Sequence, residues 1–112
     1  MADGDHSFLL GFVGYAEPAQ AERASEYEDA VLALLTDHGA RVAFRGRRVE
    51  GQDHVLPLEV HLLWFPGREA FDAYLADPRR VALLREYGEV FATKHAVELE
   101  TTSLDPSGFF GR

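Results

Sequence analysis

The chain has 112 residues, 46% of them hydrophobic and 27% charged, with a formal net charge of −8; this predicts one globular domain with its own core. The negative charge argues against a nucleic-acid partner, because phosphate binding depends on clustered lysines and arginines. The absence of cysteine excludes disulfides, thiolate metal sites and a cysteine nucleophile.

The sequence divides into a short leader, one domain and a C-terminal tail. Residues 1–7 are small and polar and are predicted to form a flexible leader, while residues 8–101 carry the patterns of the domain. Residues 102–112 form a C-terminal tail in which Phe109 and Phe110 are expected to dock, a partner subunit being one candidate. No apolar run is long enough to span a membrane and the acidic leader is not an export signal, so we expect a cytoplasmic protein without a membrane partner.

The first part of the domain reads as a strand followed by a helix. Residues 8–15 (FLLGFVGY) are apolar and aromatic, which is typical of a buried strand. From Glu22 to His38 the apolar residues recur at helical spacing and the acidic side chains cluster towards the N-terminal end, where the helix dipole favours them. Gly39 suits the left-handed position that ends a helix.

Two strands joined by a turn follow, and they predict an antiparallel hairpin. Residues 41–49 form the first strand, with a bulge or bend expected at Gly46. Residues 50–54 form the turn. The second strand begins near Leu56 and ends at Pro66-Gly67, a strong stop signal.

The side chains of this second strand divide by parity into two faces. The even-numbered residues, which end at Trp64, are wholly apolar, so we predict that they pack against the helices. Glu59, His61, Leu63 and Phe65 form the other face, which mixes apolar side chains with a carboxylate and an imidazole. We expect this mixed face to be the one that the helices leave uncovered.

The last part of the domain predicts a broken helix and a strand. Residues 68–76 form its first segment. Asp77-Pro78 then restarts the helix, with Asp as N-cap and Pro as the first helical residue. This second segment runs to Tyr87 and closes at Gly88. Residues 91–101 alternate in polarity and form the fourth strand.

The order strand, helix, strand, strand, broken helix, strand predicts an α+β fold of the ferredoxin-like βαββαβ type. Its four-stranded antiparallel sheet carries helices on one face. The face expected to be uncovered comprises Leu9, Val13, Tyr15, Ala43, Arg45, Glu59, His61, Leu63, Phe65, Lys94 and Ala96. Several of these residues are too apolar for open water, so we predict a homodimer.

A succession of short motifs across residues 8–101 carries a family resemblance. It comprises Tyr27, His38-Gly39, Arg45-Gly46, Glu50-Gly51, Phe65-Pro66, Glu69-Ala70, Tyr74, Asp77-Pro78 and Leu84-Arg85. The series resembles a bacterial family of unknown function in the dimeric α/β-barrel superfamily, whose relatives include the antibiotic-biosynthesis monooxygenases and the EthD-like proteins. The resemblance implies a dimeric barrel with a cavity and, in several relatives, oxygenation, isomerisation or dehalogenation without a metal or organic cofactor. Trp64 stands where that family usually carries a carboxylate, so an activity that depends on the acid does not carry over.

His61 is the best catalytic candidate, since a histidine can act as general acid or base near neutral pH. Glu59 lies two residues away on the same strand face and could orient the ring, or Glu98 could do so from another strand. The competing interpretation is a histidine that is simply hydrogen-bonded at a dimer interface.

Four further residues are predicted to bind substrate. Arg45 could hold a carboxylate or enolate oxygen through its planar guanidinium, although an ion pair with Glu59 is the more common role of such a residue. Tyr15 could donate a hydrogen bond at the cavity rim, and Leu63 with Phe65 would supply apolar surface. The histidines lack the close spacing of metal ligands and no dinucleotide or phosphate loop is present, so we expect no metal and no cofactor.

The sequence leaves two classes of function open. The first is a cofactor-independent enzyme, monooxygenase-like or isomerase-like, that binds a small apolar or aromatic molecule in the barrel cavity. The second is a non-catalytic structural or interaction homodimer.

Overall fold

A computed structural model describes residues 6–100 of the chain, so the predictions for residues 1–5, for Thr101 and for the tail with Phe109 and Phe110 lie outside the described residues. The strands are β1 (Phe8–Tyr15), β2 (Arg41–Arg47), β3 (Glu59–Phe65) and β4 (Thr93–Leu99). The helices are α1 (Ala21–Leu32), α2 (Arg68–Leu75) and α3 (Pro78–Tyr87), with short 3-10 turns at Pro18–Gln20 and Leu35–His38.

The strands form one antiparallel sheet in the order β2-β3-β1-β4. This order and the alternation with helices confirm the predicted α+β, ferredoxin-like fold. The central strands β3 and β1 pair along their whole length, with Phe12 opposite His61 and Gly14 opposite Glu59.

The helix ends follow local signals in the sequence. Asp77 accepts a hydrogen bond from the backbone N–H of Arg79 (2.9 Å) and caps α3, as predicted. Gly39 has a φ of 71° and closes the 3-10 turn, because glycine adopts the left-handed region without steric cost. The predicted single helix from Glu22 to His38 is wrong at its C-terminal end, since α1 stops at Leu32.

The face assigned to β3 is also wrong. Glu59, His61, Leu63 and Phe65 are 0–5% exposed and lie beneath the helices, whereas Val60 on the opposite face is 39% exposed. The physical reason is that the polar side chains of the mixed face find hydrogen-bond partners on α1 and β2, which makes their burial acceptable.

The assignment of β2 fails for a different reason. The register between β2 and β3 shifts between Val42 and Phe44, not at Gly46 as predicted, and a bulge reverses the parity of the residues that follow it. Arg45 therefore pairs with His61 on the helix-covered face, and Phe44 pairs with Leu62 on the other face, where it is 52% exposed.

On β4 the predicted faces are likewise exchanged, since Ala96 pairs with Phe12 and Lys94 with Gly14 on the helix-covered side. The β1 assignment of Leu9, Val13 and Tyr15 stands, and Ala43 lies in the bulge, where the register gives it no partner. The other surface of the sheet, here called the open face, consists of Leu9, Gly11, Val13, Tyr15, Arg41, Phe44, Gly46, Val60, Leu62, Trp64, Thr93, His95, Val97 and Leu99.

The core between sheet and helices is aromatic. Phe65 packs against the rings of Phe8 and Phe71, with ring centres 5.7 and 5.1 Å away. Gly14 allows two rings to approach the sheet, because a Cβ at this position would lie 2.7 Å from Phe91 and 2.9 Å from Phe12.

Candidate functional site

Glu59 is the centre of a buried polar cluster. It is 0% exposed and accepts hydrogen bonds from Ser25 Oγ (2.7 Å). Arg45 donates to both of its oxygens, from Nε at 2.8 Å and from Nη2 at 2.9 Å. Arg47 adds a longer contact of 3.3 Å. The carboxylate therefore joins β2, β3 and α1, and the predicted ion pair with Arg45 is confirmed.

His61 is held by this carboxylate. Its Nε2 lies 2.6 Å from Glu59 Oε1, and its ring stacks on Phe12 with centres 5.0 Å apart. Because an ionised carboxylate can only accept, Nε2 carries the hydrogen of this bond. In the neutral ring Nδ1 then keeps its lone pair, and this atom lies 3.8 Å from Glu28 Oε1.

The two carboxyl groups beside His61 differ in acidity. Burial raises the pKa of Glu59, but hydrogen bonds from His61, Arg45 and Ser25 outweigh it and lower the pKa to about 2. Burial dominates at Glu28 and raises its pKa to about 7, while the charge of His61 acts in the opposite direction. At neutral pH Glu59 is therefore an ionised carboxylate, whereas Glu28 exchanges its proton in this range. Acid–base sites commonly contain two carboxyl groups that differ in this way.

The local sequence of α1 explains how these groups reach the sheet. Ser25, Glu28 and Leu32 are three and four residues apart and are all buried, so they share the helix face that covers the sheet. The bulge in β2 turns Arg45 towards the same layer.

A cavity of about 80 Å³ lies next to His61, between the sheet and the helices. Its wall contains the polar groups of Tyr27, Glu28, His61, Tyr74, Arg80 and Lys94. Apolar side chains, among them Phe12 and Leu63, form the rest. The cavity therefore combines an apolar wall with a few converging polar groups, as small-molecule sites do.

The predicted site residues divide into two sets. Glu59 contacts both His61 and Arg45. Leu63 lines the cavity together with His61, and Phe65 lies in the adjoining aromatic core. Tyr15 lies on the open face, where its ring is 6.4 Å from that of His95, so the sheet separates it from the others. Glu98 binds Arg68 and not His61. The proposed catalytic and binding roles of all these residues remain predictions.

The sequence interpretation missed Ser25, Glu28, Arg80 and Lys94. In the sequence Glu28 is one of several acidic residues between positions 22 and 29. The available signal was its position, because it lies four residues before Leu32 on the buried stripe of the helix. A carboxylate on such a stripe is unusual, since buried acids require partners.

Within residues 6–100 no group of three or more histidine, aspartate or glutamate side chains is placed to hold a metal ion. Nor does that part of the chain contain a helix with the length and apolar character needed to cross a membrane.

Comparisons with known proteins identify the fold. No family model and no curated protein matches the chain. A protein of unknown function from Rhodopseudomonas palustris is similar in structure, with a TM-score of 0.69 at 15% identity, and the match covers 92% of this chain and 88% of the other.

Two other solved structures carry family names. A NIPSNAP family protein of unknown function from Agrobacterium tumefaciens has a TM-score of 0.68 at 13% identity, covering 91% of this chain and 94% of the other. A putative antibiotic biosynthesis monooxygenase from Bacteroides thetaiotaomicron has a TM-score of 0.65 at 10% identity, covering 89% of this chain and 91% of the other. These neighbours confirm the predicted α+β, ferredoxin-like fold. They do not define an activity for this chain.

Proposed function

We propose that the chain forms a homodimer and transfers a proton to and from a small carbonyl compound bound in the cavity beside His61, without a cofactor. One observation carries the proposal: the Nδ1 of His61 faces Glu28 beside this cavity, while Glu59 fixes the other ring nitrogen. A base held in one tautomer next to a carboxyl group with a pKa of about 7 suits general acid–base catalysis near neutral pH.

The reaction would use these groups in turn. The C–H bond next to the carbonyl breaks, its proton goes to His61 Nδ1, and its electron pair forms an enolate. The protonated carboxyl of Glu28 donates a hydrogen bond to the enolate oxygen, which stabilises the developing charge. Return of the proton to the same or another carbon gives an isomerase-like outcome. The carbanion is also the species from which a monooxygenase-like reaction with dioxygen would start.

The size of the cavity narrows the ligand class. Its volume of about 80 Å³ exceeds the roughly 15 Å³ that one water needs but is smaller than the 150 Å³ of an engineered cavity that takes benzene. The sequence left an apolar or an aromatic molecule open, and of the possible ligands a small carbonyl compound fits this volume better than an aromatic one.

Hydrogen–deuterium exchange tests this function. The methyl protons of diacetyl in deuterated water, followed by proton NMR, should exchange about a hundredfold faster with the wild type than with His61→Asn. Glu26→Gln is the matched control, because Glu26 lies exposed on the same helix as Glu28. Circular dichroism establishes that each variant is folded. Equal exchange with wild type, His61→Asn and buffer would refute the proposal.

The open face supports the homodimer. Val97, Phe44 and Val60 are 55%, 52% and 39% exposed, and contiguous apolar surface of this kind marks protein interfaces. Among the described strand residues that point to this face none is acidic, although the chain has a net charge of −8. Two copies can therefore meet there without repulsion between carboxylates, and interface cores are depleted of charge in the same way.

Sedimentation velocity tests the dimer. The wild type should sediment as a dimer at micromolar concentration and Val60→Lys as a monomer, since the lysine would bury a charge in the interface. Val55→Lys is the control, because Val55 is exposed in the loop before β3. A monomeric wild type would contradict the proposal.

A non-catalytic homodimer is the second candidate. The observation in its favour is that the hydrogen bonds of Glu59 with Ser25 and Arg45 also join α1 and β2 to β3. If His61→Asn lowers the stability of the dimer while the wild type itself exchanges no probe protons, this alternative holds. A cytoplasmic location remains a prediction under either candidate.

A further inference from the structure

The wall of the cavity beside His61 includes the positively charged side chain of Arg80. One buried donor of this side chain lacks a hydrogen-bond partner among the described residues. Arg80 lies on α3, and its guanidinium carbon is 5.2 Å from the centre of the Tyr74 ring. Its Nε is buried and makes no hydrogen bond to any residue of the part of the chain that the structure describes. Since nearly all buried donors are satisfied, the unpaired Nε–H shows that protein acceptors do not fully satisfy this guanidinium, whose charge an anion in the cavity can balance.

The charges around the cavity favour an anion. Lys94 lines it together with Arg80, whereas the charge of Glu59 is neutralised by Arg45. Glu28, the acidic residue of the cavity wall, has its pKa raised to about 7 by burial and is largely uncharged at slightly acidic pH. Positive charge therefore exceeds negative charge on the cavity wall, and such an excess concentrates anions.

A surface groove shares part of its lining with this cavity. A groove of about 290 Å³ at the start of β4 is lined by Tyr27, Phe91 and Lys94, which also line the cavity. Lys94 therefore lines both spaces, and its ammonium group can attract an anion from solvent.

Building on the proposed function, we propose that the ligand is a small α-keto acid whose carboxylate pairs with the guanidinium of Arg80 on the cavity wall. The carboxyl of Glu28 donates to the carbonyl oxygen, and the carbon chain points to His61 between Phe12 and Leu63. A guanidinium is suited to this task because its planar donors match a carboxylate. The size of the cavity admits a molecule such as pyruvate.

Binding measurements with two probes test the assignment. Pyruvate and diacetyl have nearly the same shape, but only pyruvate carries a carboxylate. Their dissociation constants, from NMR titration of the folded protein, should favour pyruvate at least about tenfold in the wild type. Arg80→Gln should remove this preference by weakening pyruvate alone, while Arg85→Gln, exposed on the same helix, should keep it. Equal affinities in the wild type, or unchanged pyruvate binding in Arg80→Gln, would overturn the proposal.

The pH dependence provides a test that needs no Arg80 variant. The titratable and charged groups that face Glu28 or share its cavity wall are Tyr27 on α1, Arg45 on β2, Glu59 and His61 on β3, Tyr74 on α2, Arg80 on α3 and Lys94 on β4. Ionised Glu28 repels a carboxylate and competes for Arg80. Pyruvate affinity should therefore fall about tenfold from about pH 6 to about pH 8, and in Glu28→Gln it should not change. A flat profile in the wild type would overturn the proposal.

The outcomes separate this inference from the proposed function. Pyruvate binding that depends on Arg80, without proton exchange, would leave the ligand class standing and remove the catalytic role. Exchange of diacetyl protons without a preference for pyruvate would do the reverse.

Discussion

The replacement Glu28→Gln tests the energetic cost of the buried acid. In the folded wild type the pKa of Glu28 is about 7, above the ordinary 4.5. The folded protein therefore binds this proton more tightly than the unfolded chain does. The contribution of Glu28 to stability is therefore greatest below pH 4.5, and it is lost as the pH rises through about 7. At about 1.4 kcal/mol for each pKa unit, this loss is about 3 kcal/mol.

Glutamine keeps the shape of the side chain but cannot ionise. The free energy of unfolding of Glu28→Gln should therefore exceed that of the wild type by about 3 kcal/mol more at about pH 8 than at about pH 4.5. Urea denaturation at fixed protein concentration measures this difference, because the stability of a dimer depends on concentration. Glu26→Gln, on the exposed side of α1, should show no such trend. A difference between Glu28→Gln and wild type that does not change with pH would refute the reasoning.

Replacements of Glu59 and of Gly14 test the packing and the hydrogen bonds between the sheet and the helices. Glu59→Ala should lower the free energy of unfolding by about 3–5 kcal/mol, because it leaves buried donors without their acceptor. The wild type should lose stability as the pH falls from 4.5 towards 2, where the carboxylate with a pKa of about 2 becomes protonated, and Glu59→Gln should lack this loss. Gly14→Ala should cost about 1–3 kcal/mol by overpacking, whereas Gly67→Ala, with no atom nearer than 4.0 Å to the added carbon, should change stability far less. Equal effects of the two alanines in thermal denaturation would contradict the steric argument.

The features that local sequence determines were predicted well. The strand Phe8–Tyr15 and the helix Pro78–Tyr87 have their predicted bounds, because periodicity and capping residues act over a few neighbours. The pairing of Glu59 with His61 was also predictable, since residues two apart on a strand share a face.

Local sequence did not predict which face of the sheet the helices cover. Both faces of β3 carry apolar side chains, and the choice between them depends on partners that are distant in sequence. Ser25 and Arg45 satisfy Glu59 from another helix and another strand, so the charged face is buried and the apolar face with Val60 stays open. The bulge between Val42 and Phe44 has no glycine or proline to mark it, and it reversed the assignment of Arg45. Glu28 was missed because burial of an acid depends on the whole fold.

The central claim is that Glu28 exchanges its proton near neutral pH beside His61. Carbon NMR of the glutamate carboxyl groups, with Glu28 assigned by comparison with Glu28→Gln, measures this directly. We expect a midpoint near the pKa of about 7 that burial produces. A midpoint near the ordinary value of 4.5 would contradict it.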